Sequence, residues 1–386
     1  MGLDDLLDPE DLAIRAAVRA WTTDRILPDI AEWYEKGELP PIRELARELG
    51  SLGALGMSLT GYGCAGATCV QYGLACLELE AADSGIRSLV SVQGSLAMYA
   101  IHAYGSEEQK QRWLPGMAAG EIIGCFGLTE PDHGSDPSAM RTHARRDGDD
   151  WVLTGRKMWI TNGSVAGVAV VWAQTGEGGD GRGVRGFLVP AGTPGFSAPE
   201  ITHKWSLRAS VTSELVLDGV RLPADAVLPG VTGLRGPLGC LSHARYGIVW
   251  GAMGAARTCF ETALEYSRTR EQFGRPIGGF QLTQAKLADM AVELHKGILL
   301  AHHLGRRMDA GALRPEQISF GKLNNVREAI EICRTARTVL GANGISLEYP
   351  VMRHATNLES VLTYEGTVEM HQLVLGKALT GLDAFR

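Results

Sequence analysis

Several signatures of common protein classes are missing from this chain of 386 residues. Its seven cysteines form no CxxC pair, so the ligand spacing for zinc or an iron–sulfur cluster is absent and no metal site is expected. An odd number of cysteines in mostly apolar segments is typical of reduced core thiols. No GxGxxG motif follows a predicted strand, and GxxxxGK[ST] and GxSxG are absent, which disfavours a Rossmann site, a P-loop and an α/β-hydrolase.

Long apolar runs and a basic surface are also missing. The formal net charge is −7 and basic residues are interspersed with acidic ones, so no nucleic-acid partner is expected. Every apolar run is interrupted by Gly, Arg or His well before the roughly 20 residues that a membrane span needs, so no membrane association is expected. The acidic start "MGLDDLLDPEDLAIR" is unlike a secretory or organellar leader. We expect a cytoplasmic enzyme, or a processed enzyme of the mitochondrial matrix.

What is present is a change of pattern along the chain. Segments such as "IRELARELGSLGAL" place apolar residues three and four positions apart, which predicts an all-α domain over residues 1–122. Short β-branched or alternating segments separated by turns predict a middle antiparallel β-barrel over 123–235. Long helical periodicity then returns and predicts a four-helix bundle over 236–386. The predicted fold class is therefore α+β with three domains.

Two segments of the predicted β-domain are suited to a flat or phosphorylated ligand. The loop 127–137, "GLTEPDHGSDP", combines backbone N–H groups with the hydroxyls of Thr129 and Ser135, which can hold a phosphate or a polar ring edge. In "GRKMWITNG", Trp159 and Thr161 bring an aromatic ring beside a hydroxyl donor, as a large planar ligand requires. A plain β-turn and a core aromatic residue explain the same letters equally well.

A carboxylate near the C-terminus also needs an explanation. The segment "LESVLTYEGTVEMHQ" places Glu365 between an aromatic residue and a glycine, just before a new helix. Its simplest interpretation is a capping acid, because the free N–H groups and the dipole of the first helical turn favour negative charge.

The stretch "AADSGIRSLVS" predicts an anion site. Asp83 or Ser84 caps the next helix and Gly85 turns the chain, so Arg87 and Ser88 lie in the first turn, where free N–H groups already favour an anion. A guanidinium, which binds carboxylates bidentately, makes this a carboxylate site. The alternative interpretation is an ordinary ion pair at the surface or between subunits.

Six segments, in this order and spacing, resemble the acyl-CoA dehydrogenase family: "CFGLTEPDHGSDP", "GRKMWITNG", "HKWSLRAS", "RTREQFGRPIGGFQ", "LGANGIS" and "TYEGTVEMHQLVLGKALTG". The resemblance runs from about residue 10 to the C-terminus. It implies the same helix, barrel and helix layout, FAD as cofactor and an acyl-CoA substrate. It also implies an electron-transfer flavoprotein as acceptor and a homotetramer built as a dimer of dimers.

In this family Glu365 matches the catalytic base, which removes the α-proton of the acyl thioester while the β-hydride passes to flavin N5. Desolvation suits that role because it raises the pKa of a carboxylate and makes it a stronger base. The resemblance further implies that the enolate oxygen accepts hydrogen bonds from the Glu365 backbone N–H and a flavin ribityl hydroxyl.

The resemblance carries the cofactor contacts over position by position. In the middle domain they are Phe126, Leu128, Thr129, Gly134, Ser135, Trp159, Ile160 and Thr161. In the C-terminal domain they are Arg270, Phe273, Gln281, Thr338, Gly341, Ala342, Thr367 and Phe385. Thr338 stands where Gln is frequent, and Ala342 replaces a glycine. The Arg270 and Gly341 regions are expected to reach the cofactor of a neighbouring subunit.

Within the family, "SGIRSLVSVQGSL", "GCLSHARYGIVWG" and the ending "ALTGLDAF" resemble the members that oxidise glutaryl-CoA. Those members place residues matching Arg87 and Ser88 on the distal carboxylate of the substrate, with Glu80 in the same network. The other implied substrate contacts are Ser135, Leu238, Arg245, Tyr364 and Gly366. The expected reaction is FAD-dependent oxidative decarboxylation of glutaryl-CoA to crotonyl-CoA and CO2.

Two alternatives remain open at this point. The first keeps the flavin chemistry and changes the substrate: a non-decarboxylating enzyme, or a dehydrogenase of another carboxylated acyl group carried by CoA or by a carrier protein. The second is a catalytically idle relative that serves as a helical scaffold or flavin-binding partner.

Overall fold

The N-terminal third is helical because its apolar residues recur at helical spacing. The computed structural model describes residues 3–176 and 183–385. Its first seven helices are α1 Pro9–Trp21, α2 Ile30–Lys36, α3 Ile42–Ser51, α4 Cys69–Ala82, α5 Ser84–Ser91, α6 Tyr99–Tyr104 and α7 Glu107–Ala118. A small antiparallel hairpin of β1 Thr60–Gly61 and β2 Cys64–Ala65 precedes α4. A π-helical segment, Val92–Met98, joins α5 to α6.

Asp83 ends α4 and begins α5. Its backbone is extended, and its Oδ1 accepts a 2.7 Å hydrogen bond from the backbone N–H of Gly85, as an N-cap does. Its Oδ2 accepts from Arg353 at 2.6 Å and from Asn357 at 2.9 Å. The turn that carries Arg87 is therefore tied to a helix of the C-terminal region.

The middle region is a single curled sheet. Its strands are β3 Gly124–Gly127, β4 His143–Asp147, β5 Asp150–Thr161, β6 Val168–Gln174, β7 Val184–Pro190, β8 Phe196–Ser197 and β9 Thr212–Leu222. The order is β3-β6-β4-β5-β9-β8, with β7 paired along the other edge of β6. The register of β5 against β9 shifts between Lys157 and Ile160, and this bulge lies at Trp159, whose φ is 63°.

The C-terminal region returns to long helices: α8 Arg235–Thr269, α9 Gln281–Asp309, α10 Pro315–Val339, α11 Val351–Thr363 and α12 Val368–Thr380. A hairpin of β10 Glu271–Gln272 and β11 Arg275–Pro276 lies between α8 and α9. Gly254 allows helix α8 to pack closely against α4, since a Cβ at this position would lie 1.9 Å from the carbonyl oxygen of Leu77. The two helices that carry Glu80 and Arg245 are thus held together.

This layout confirms the predicted three-domain fold class. Two pairings differ from the predicted antiparallel barrel: β3 pairs with β6 in parallel over four residues, and β4 pairs with β6 in parallel at His143 and Gln174. The chain leaves β3, forms the β4–β5 hairpin and returns to the same end of the sheet, and such a crossover allows parallel pairing. One apolar core joins the helices to one face of the sheet, and a second fills the other face. No helix in the described ranges is long and apolar enough to cross a membrane.

Candidate active site

The segment between α11 and α12 presents the carboxylate of Glu365. Tyr364 closes α11, and its backbone N–H donates to the carbonyl of Ser360 at 2.9 Å. Glu365 and Gly366 then adopt left-handed conformations, with φ of 52° and 100°. Such a conformation is unfavourable for a residue with a Cβ, so the surrounding contacts must hold Glu365 in place.

Glu365 does not cap α12. The N-cap is Thr367, whose hydroxyl oxygen accepts a 3.3 Å hydrogen bond from the backbone N–H of Met370. Oε2 of Glu365 is buried and has no hydrogen-bond partner within the described residues. The capping interpretation is therefore wrong, and an unpartnered buried carboxylate oxygen is free to accept a proton from a bound molecule.

Three cations surround this carboxylate. Arg245 of α8 donates through Nε to the backbone carbonyl of Glu365 at 2.6 Å. Lys322 of α10 is 1% exposed, and its Nζ donates to the carbonyls of Tyr364 at 2.5 Å and Gly366 at 2.7 Å. Burial raises the pKa of Glu365, while the charges of Arg87, Lys322 and Arg245 act in the opposite direction.

A buried arginine cluster lies next to this segment. Nε of Arg87 donates to Oε2 of Glu80 at 2.7 Å, and Nη2 donates to the hydroxyl of Tyr364. Oε1 of Glu80 accepts from Ser84 at 2.8 Å. Burial disfavours the charged guanidinium, but the neighbouring Glu80 and Tyr364 outweigh it, so the pKa of Arg87 is raised. Neither hydrogen bond uses Nη1, which leaves one edge of the guanidinium for an anion.

Hydroxyl groups accompany the guanidinium. Oγ of Ser88 lies 3.5 Å from the hydroxyl of Tyr364, at the limit of a hydrogen bond. Ser91 lies one helical turn beyond Arg87, on the same face of α5, and is fully buried. Burial raises the pKa of Tyr364 to about 12, so this residue is a neutral donor. The cluster therefore offers a cation and several neutral donors to a carboxylate.

The glycine-rich loop of the middle domain is anchored by a buried ion pair. Nζ of Lys157 donates to Oε1 of Glu130 at 2.8 Å and to the carbonyl of Leu128 at 3.0 Å. The Glu130 carboxylate also accepts from the backbone N–H groups of Arg141 at 2.6 Å and Thr142 at 2.9 Å. The two ends of the loop are thereby joined, and Lys157 lies two residues before Trp159.

The middle-domain positions fit a large planar cofactor. The indole of Trp159 is 57% exposed, although its neighbour Ile160 is 3% exposed, because the left-handed bulge turns the ring out of the sheet. Gly134 and Ser135 of the loop are exposed, and a Cβ at Gly134 would meet no atom within 4 Å. The side chains of Phe126 and Leu128 lie in the core, so these two positions can offer only backbone groups to a ligand.

The structure does not bring all the predicted positions to the Glu365 cluster. Arg270 follows α8 and lies about 38 Å along the helix axis from Arg245, and Thr338 lies about 24 Å along α10 from Lys322. The positions remote from the cluster are exposed: Arg270, Phe273, Gln281, Thr338, Gly341 and Ala342. Phe385 and Leu238 are also exposed, at 44% and 40%. Leu238 lies two turns before Arg245 on α8, on the same helix face.

Sequence reasoning missed four residues of the site. Lys322 has no flanking motif, although a lone lysine among apolar residues of a core-facing helix is a signal of a paired, buried charge. Ser91 follows Arg87 at a spacing of four, which could have been recognised from helical periodicity. Lys157 and Glu130 lie inside quoted motifs, but only the structure pairs them.

Comparisons with known proteins identify the family. Sequence models of the acyl-CoA dehydrogenase N-terminal, middle and C-terminal domains match residues 8–121, 125–220 and 232–380. The chain therefore belongs to the acyl-CoA dehydrogenase family.

Individual relatives cover almost the whole chain. A glutaryl-CoA dehydrogenase from Mycobacterium smegmatis is similar in structure, with a TM-score of 0.97 and 71% identity over 100% of this chain and 98% of that one. A structure of a glutaryl-CoA dehydrogenase from the same organism in complex with FADH2 has a TM-score of 0.97 and 64% identity over the same shares. The short-chain specific acyl-CoA dehydrogenase of Homo sapiens is 36% identical over 90% of this chain and 84% of its own length.

Proposed function

We propose that this acyl-CoA dehydrogenase uses FAD to oxidise glutaryl-CoA and to convert it to crotonyl-CoA and CO2. The observation that carries the proposal is the buried Arg87, which is paired with Glu80 and contacts the residue next to Glu365. Burying a guanidinium costs several kcal/mol unless it is compensated, and an apolar acyl chain gains nothing from it. A substrate with a second carboxylate would use the free edge of the guanidinium.

The protein's own part in the oxidation is the transfer of one proton. Glu365 accepts the α-proton of the thioester on its unpartnered Oε2, while FAD, when bound, supplies the two-electron acceptor for the β-carbon. The raised pKa of Glu365 makes it a stronger base than an exposed carboxylate. Arg245 and Lys322 hold the backbone on both sides of the base, so the carboxylate keeps its orientation.

The second half of the reaction returns the proton. The oxidised product, glutaconyl-CoA, loses CO2 from its distal carboxylate, and the electron pair of the broken bond delocalises toward the thioester. Protonated Glu365 then delivers its proton to the γ-carbon and gives crotonyl-CoA. Arg87 holds the carboxylate beside Tyr364, so both ends of the reacting chain are positioned from one cluster.

We also propose a homotetramer that passes electrons to an electron-transfer flavoprotein. Large apolar side chains are exposed on the C-terminal helices and the β10–β11 hairpin: Phe273 at 93%, Leu282 at 80%, Val292 at 55% and Leu299 at 47%. Contacts between copies would cover such side chains. The six predicted cofactor positions far from Glu365 would then serve a neighbouring subunit.

All seven cysteines are free thiols, in keeping with the cytoplasm or mitochondrial matrix.

Product analysis tests this function. The purified protein is supplied with FAD, glutaryl-CoA and an artificial one-electron acceptor, and the acyl-CoA products are separated and weighed by mass spectrometry. We expect crotonyl-CoA and one CO2 per two electrons accepted. Glutaconyl-CoA as the end product would show oxidation without decarboxylation. Turnover of butyryl-CoA but not of glutaryl-CoA would contradict the diacid assignment, and a colourless protein that does not bind FAD would favour the idle scaffold.

A further inference from the structure

A buried lysine that no motif marks lies against the segment carrying the candidate base. Residues 364–366 separate α11 from α12, and two of them have left-handed backbones. The carbonyl of Tyr364 comes after the last helical residue of α11, and Glu365 and Gly366 precede the N-cap of α12. Because these residues lie between two helices, their carbonyl oxygens are outside the regular helical hydrogen-bond pattern. Other donors must therefore satisfy them.

Each of these three carbonyls receives a hydrogen bond from a cationic side chain. Nζ of Lys322 bridges the two outer carbonyls, those of Tyr364 and Gly366, at 2.5 and 2.7 Å. Nε of Arg245 donates to the middle one, that of Glu365, at 2.6 Å. Lys322 comes from α10 and Arg245 from α8, so two different helices donate hydrogen bonds to the segment.

The bridge restricts the two residues that it spans, Glu365 and Gly366. Nζ of Lys322 holds the peptide group before Glu365 through the Tyr364 carbonyl and the peptide group after Gly366 through the Gly366 carbonyl. Arg245 holds the peptide group between them through the Glu365 carbonyl. Rotation about the backbone bonds of Glu365, which sets the direction of its side chain, is therefore limited. A Cβ at Gly366 would lie 2.8 Å from Nε2 of the buried His371, so the segment is also packed from the α12 side. Lys322 therefore restrains the conformation of the segment 364–366 in addition to packing in the core.

We propose that Lys322 is a positioning residue for the proposed reaction: its bridge between the Tyr364 and Gly366 carbonyls holds Glu365 in the conformation that presents its carboxylate to the acyl thioester. This inference rests on the proposed function, because it assumes that Glu365 is the base. Lys322 itself touches neither substrate nor cofactor in this role, and it acts only through the segment 364–366.

Lys322 also influences the charge of the base. The titratable and cationic groups facing it are Glu365, Tyr364, whose ring centroid lies 5.9 Å from Nζ, Arg245 of α8, Arg87 of α5 and His371 of α12. Burial lowers the pKa of Lys322 to about 7, with Glu365 opposing this shift. A neutral amine still has two N–H groups, enough for both carbonyls. Loss of the proton would therefore remove the charge but keep the bridge.

The test replaces Lys322 with methionine, which has a similar unbranched shape and no donor. We expect Lys322→Met to lower kcat for glutaryl-CoA about 10- to 100-fold and to change KM less than about threefold, because the orientation of the base and not substrate binding is lost. The acid limb of the kcat profile should move up by about one pH unit, because a cation that favours the carboxylate is gone. Lys296→Met is the matched control, since Lys296 is exposed and pairs only with Glu293 among the described residues.

A second variant separates positioning from misfolding. Lys322→Ala leaves space for a small amine. Added n-propylamine should raise the kcat of this variant at least about tenfold within the mixing time, because a donor returns to the two carbonyls. A misfolded protein would not respond on that timescale. A Lys322→Met variant with the kcat and the acid limb of the wild type would overturn the inference. So would a loss of activity that disappears when the rate is divided by the amount of enzyme that retains bound flavin. Wild-type protein that turns over no acyl-CoA would instead refute the proposed function.

Discussion

Nε of Arg87 lies 2.7 Å from Oε2 of Glu80, and the two side chains are 1% and 0% exposed. They come from consecutive helices, α5 and α4, whose junction is capped by Asp83. The pair directs the guanidinium from inside the helical domain toward Tyr364, which precedes the proposed base Glu365. A surface ion pair, the alternative that the sequence left open, is therefore wrong for Arg87, and the consequences of a buried charge can be tested.

Removal of Arg87 should change the choice of substrate. Because Glu80 alone would be a buried unpaired charge, which costs about 3–5 kcal/mol, the informative variant is the pair Arg87→Met with Glu80→Gln. We expect kcat/KM for glutaryl-CoA to fall about 100-fold or more, or about 3 kcal/mol, because a charge-assisted hydrogen bond to the distal carboxylate is lost. Steady-state rates with glutaryl-CoA and butyryl-CoA measure the effect.

Butyryl-CoA serves as the internal control for that variant, because it has no distal carboxylate. Its kcat/KM should change less than about threefold, within the range of ordinary repacking. Equal losses on the two substrates would show that the cluster supports the fold or the base and does not select a diacid.

A methyl group at position 251 should disturb the same pair without removing a charge. A Cβ at Gly251 of α8 would lie 2.0 Å from Oε2 of Glu80 and 3.3 Å from Nε of Arg87. Gly251→Ala should therefore shift the carboxylate and lower kcat/KM for glutaryl-CoA about tenfold or more, with a smaller effect on butyryl-CoA. The matched control is Gly376→Ala in α12, where a Cβ would meet no atom within 4 Å. That variant should keep full activity and gain up to about 1 kcal/mol of stability.

Catalysis and capping should separate at two residues, Glu365 and Thr367, that lie two positions apart. Glu365→Gln should lower turnover at least about 1000-fold, because an amide cannot accept the α-proton, and should leave the midpoint of thermal unfolding nearly unchanged. Thr367→Ala should lower the free energy of unfolding by about 1 kcal/mol, because the Met370 N–H loses its cap. Stability loss in Glu365→Gln comparable to that of Thr367→Ala would return Glu365 to a structural role.

The activity of the wild-type protein should depend on pH through Glu365. The base acts only when ionised, and burial raises its pKa above the ordinary 4.5. Turnover should therefore be lost as pH falls through that raised pKa, so the acid limb of kcat lies above pH 4.5. Rates between about pH 4 and about pH 9, with enzyme stability checked at each pH, locate the limb. A limb at or below the ordinary value would mean that the base is solvated in the working enzyme.

The ion pair below the glycine-rich loop should control cofactor retention. Lys157→Met combined with Glu130→Gln removes the connection between the two ends of the loop, and we expect the dissociation constant of FAD to rise about tenfold. Fluorescence titration of the apoprotein measures it. The exposed pair Arg334 and Glu359, changed in the same way, is the control and should leave FAD affinity unaltered.

Much of the fold could be predicted because its cause is local. Apolar residues at helical spacing specify α4, α8 and α10 wherever they pack, and alternation with turn residues specifies the strands of the middle region. The parallel pairing of β3 with β6 was not predicted, because strand neighbours depend on where the chain returns and not on the composition of either strand. The motifs of the middle domain predicted an aromatic residue at 159 near a ligand, but the left-handed backbone of Trp159 arises from the bulge against β9.

The amino-acid order by itself determined which residues are candidates for the chemistry: a carboxylate before a helix, an arginine in a capped first turn and a glycine-rich loop after a strand. Only the tertiary structure decided how they are used. Glu80 and Arg87 are joined to Tyr364 across about 280 positions, and Lys322 and Arg245 reach the segment 364–366 from two helices. Such contacts depend on how α4, α8 and α10 pack, because packing sets which groups are close, and the low dielectric constant of the interior strengthens the interaction between charges that lie there.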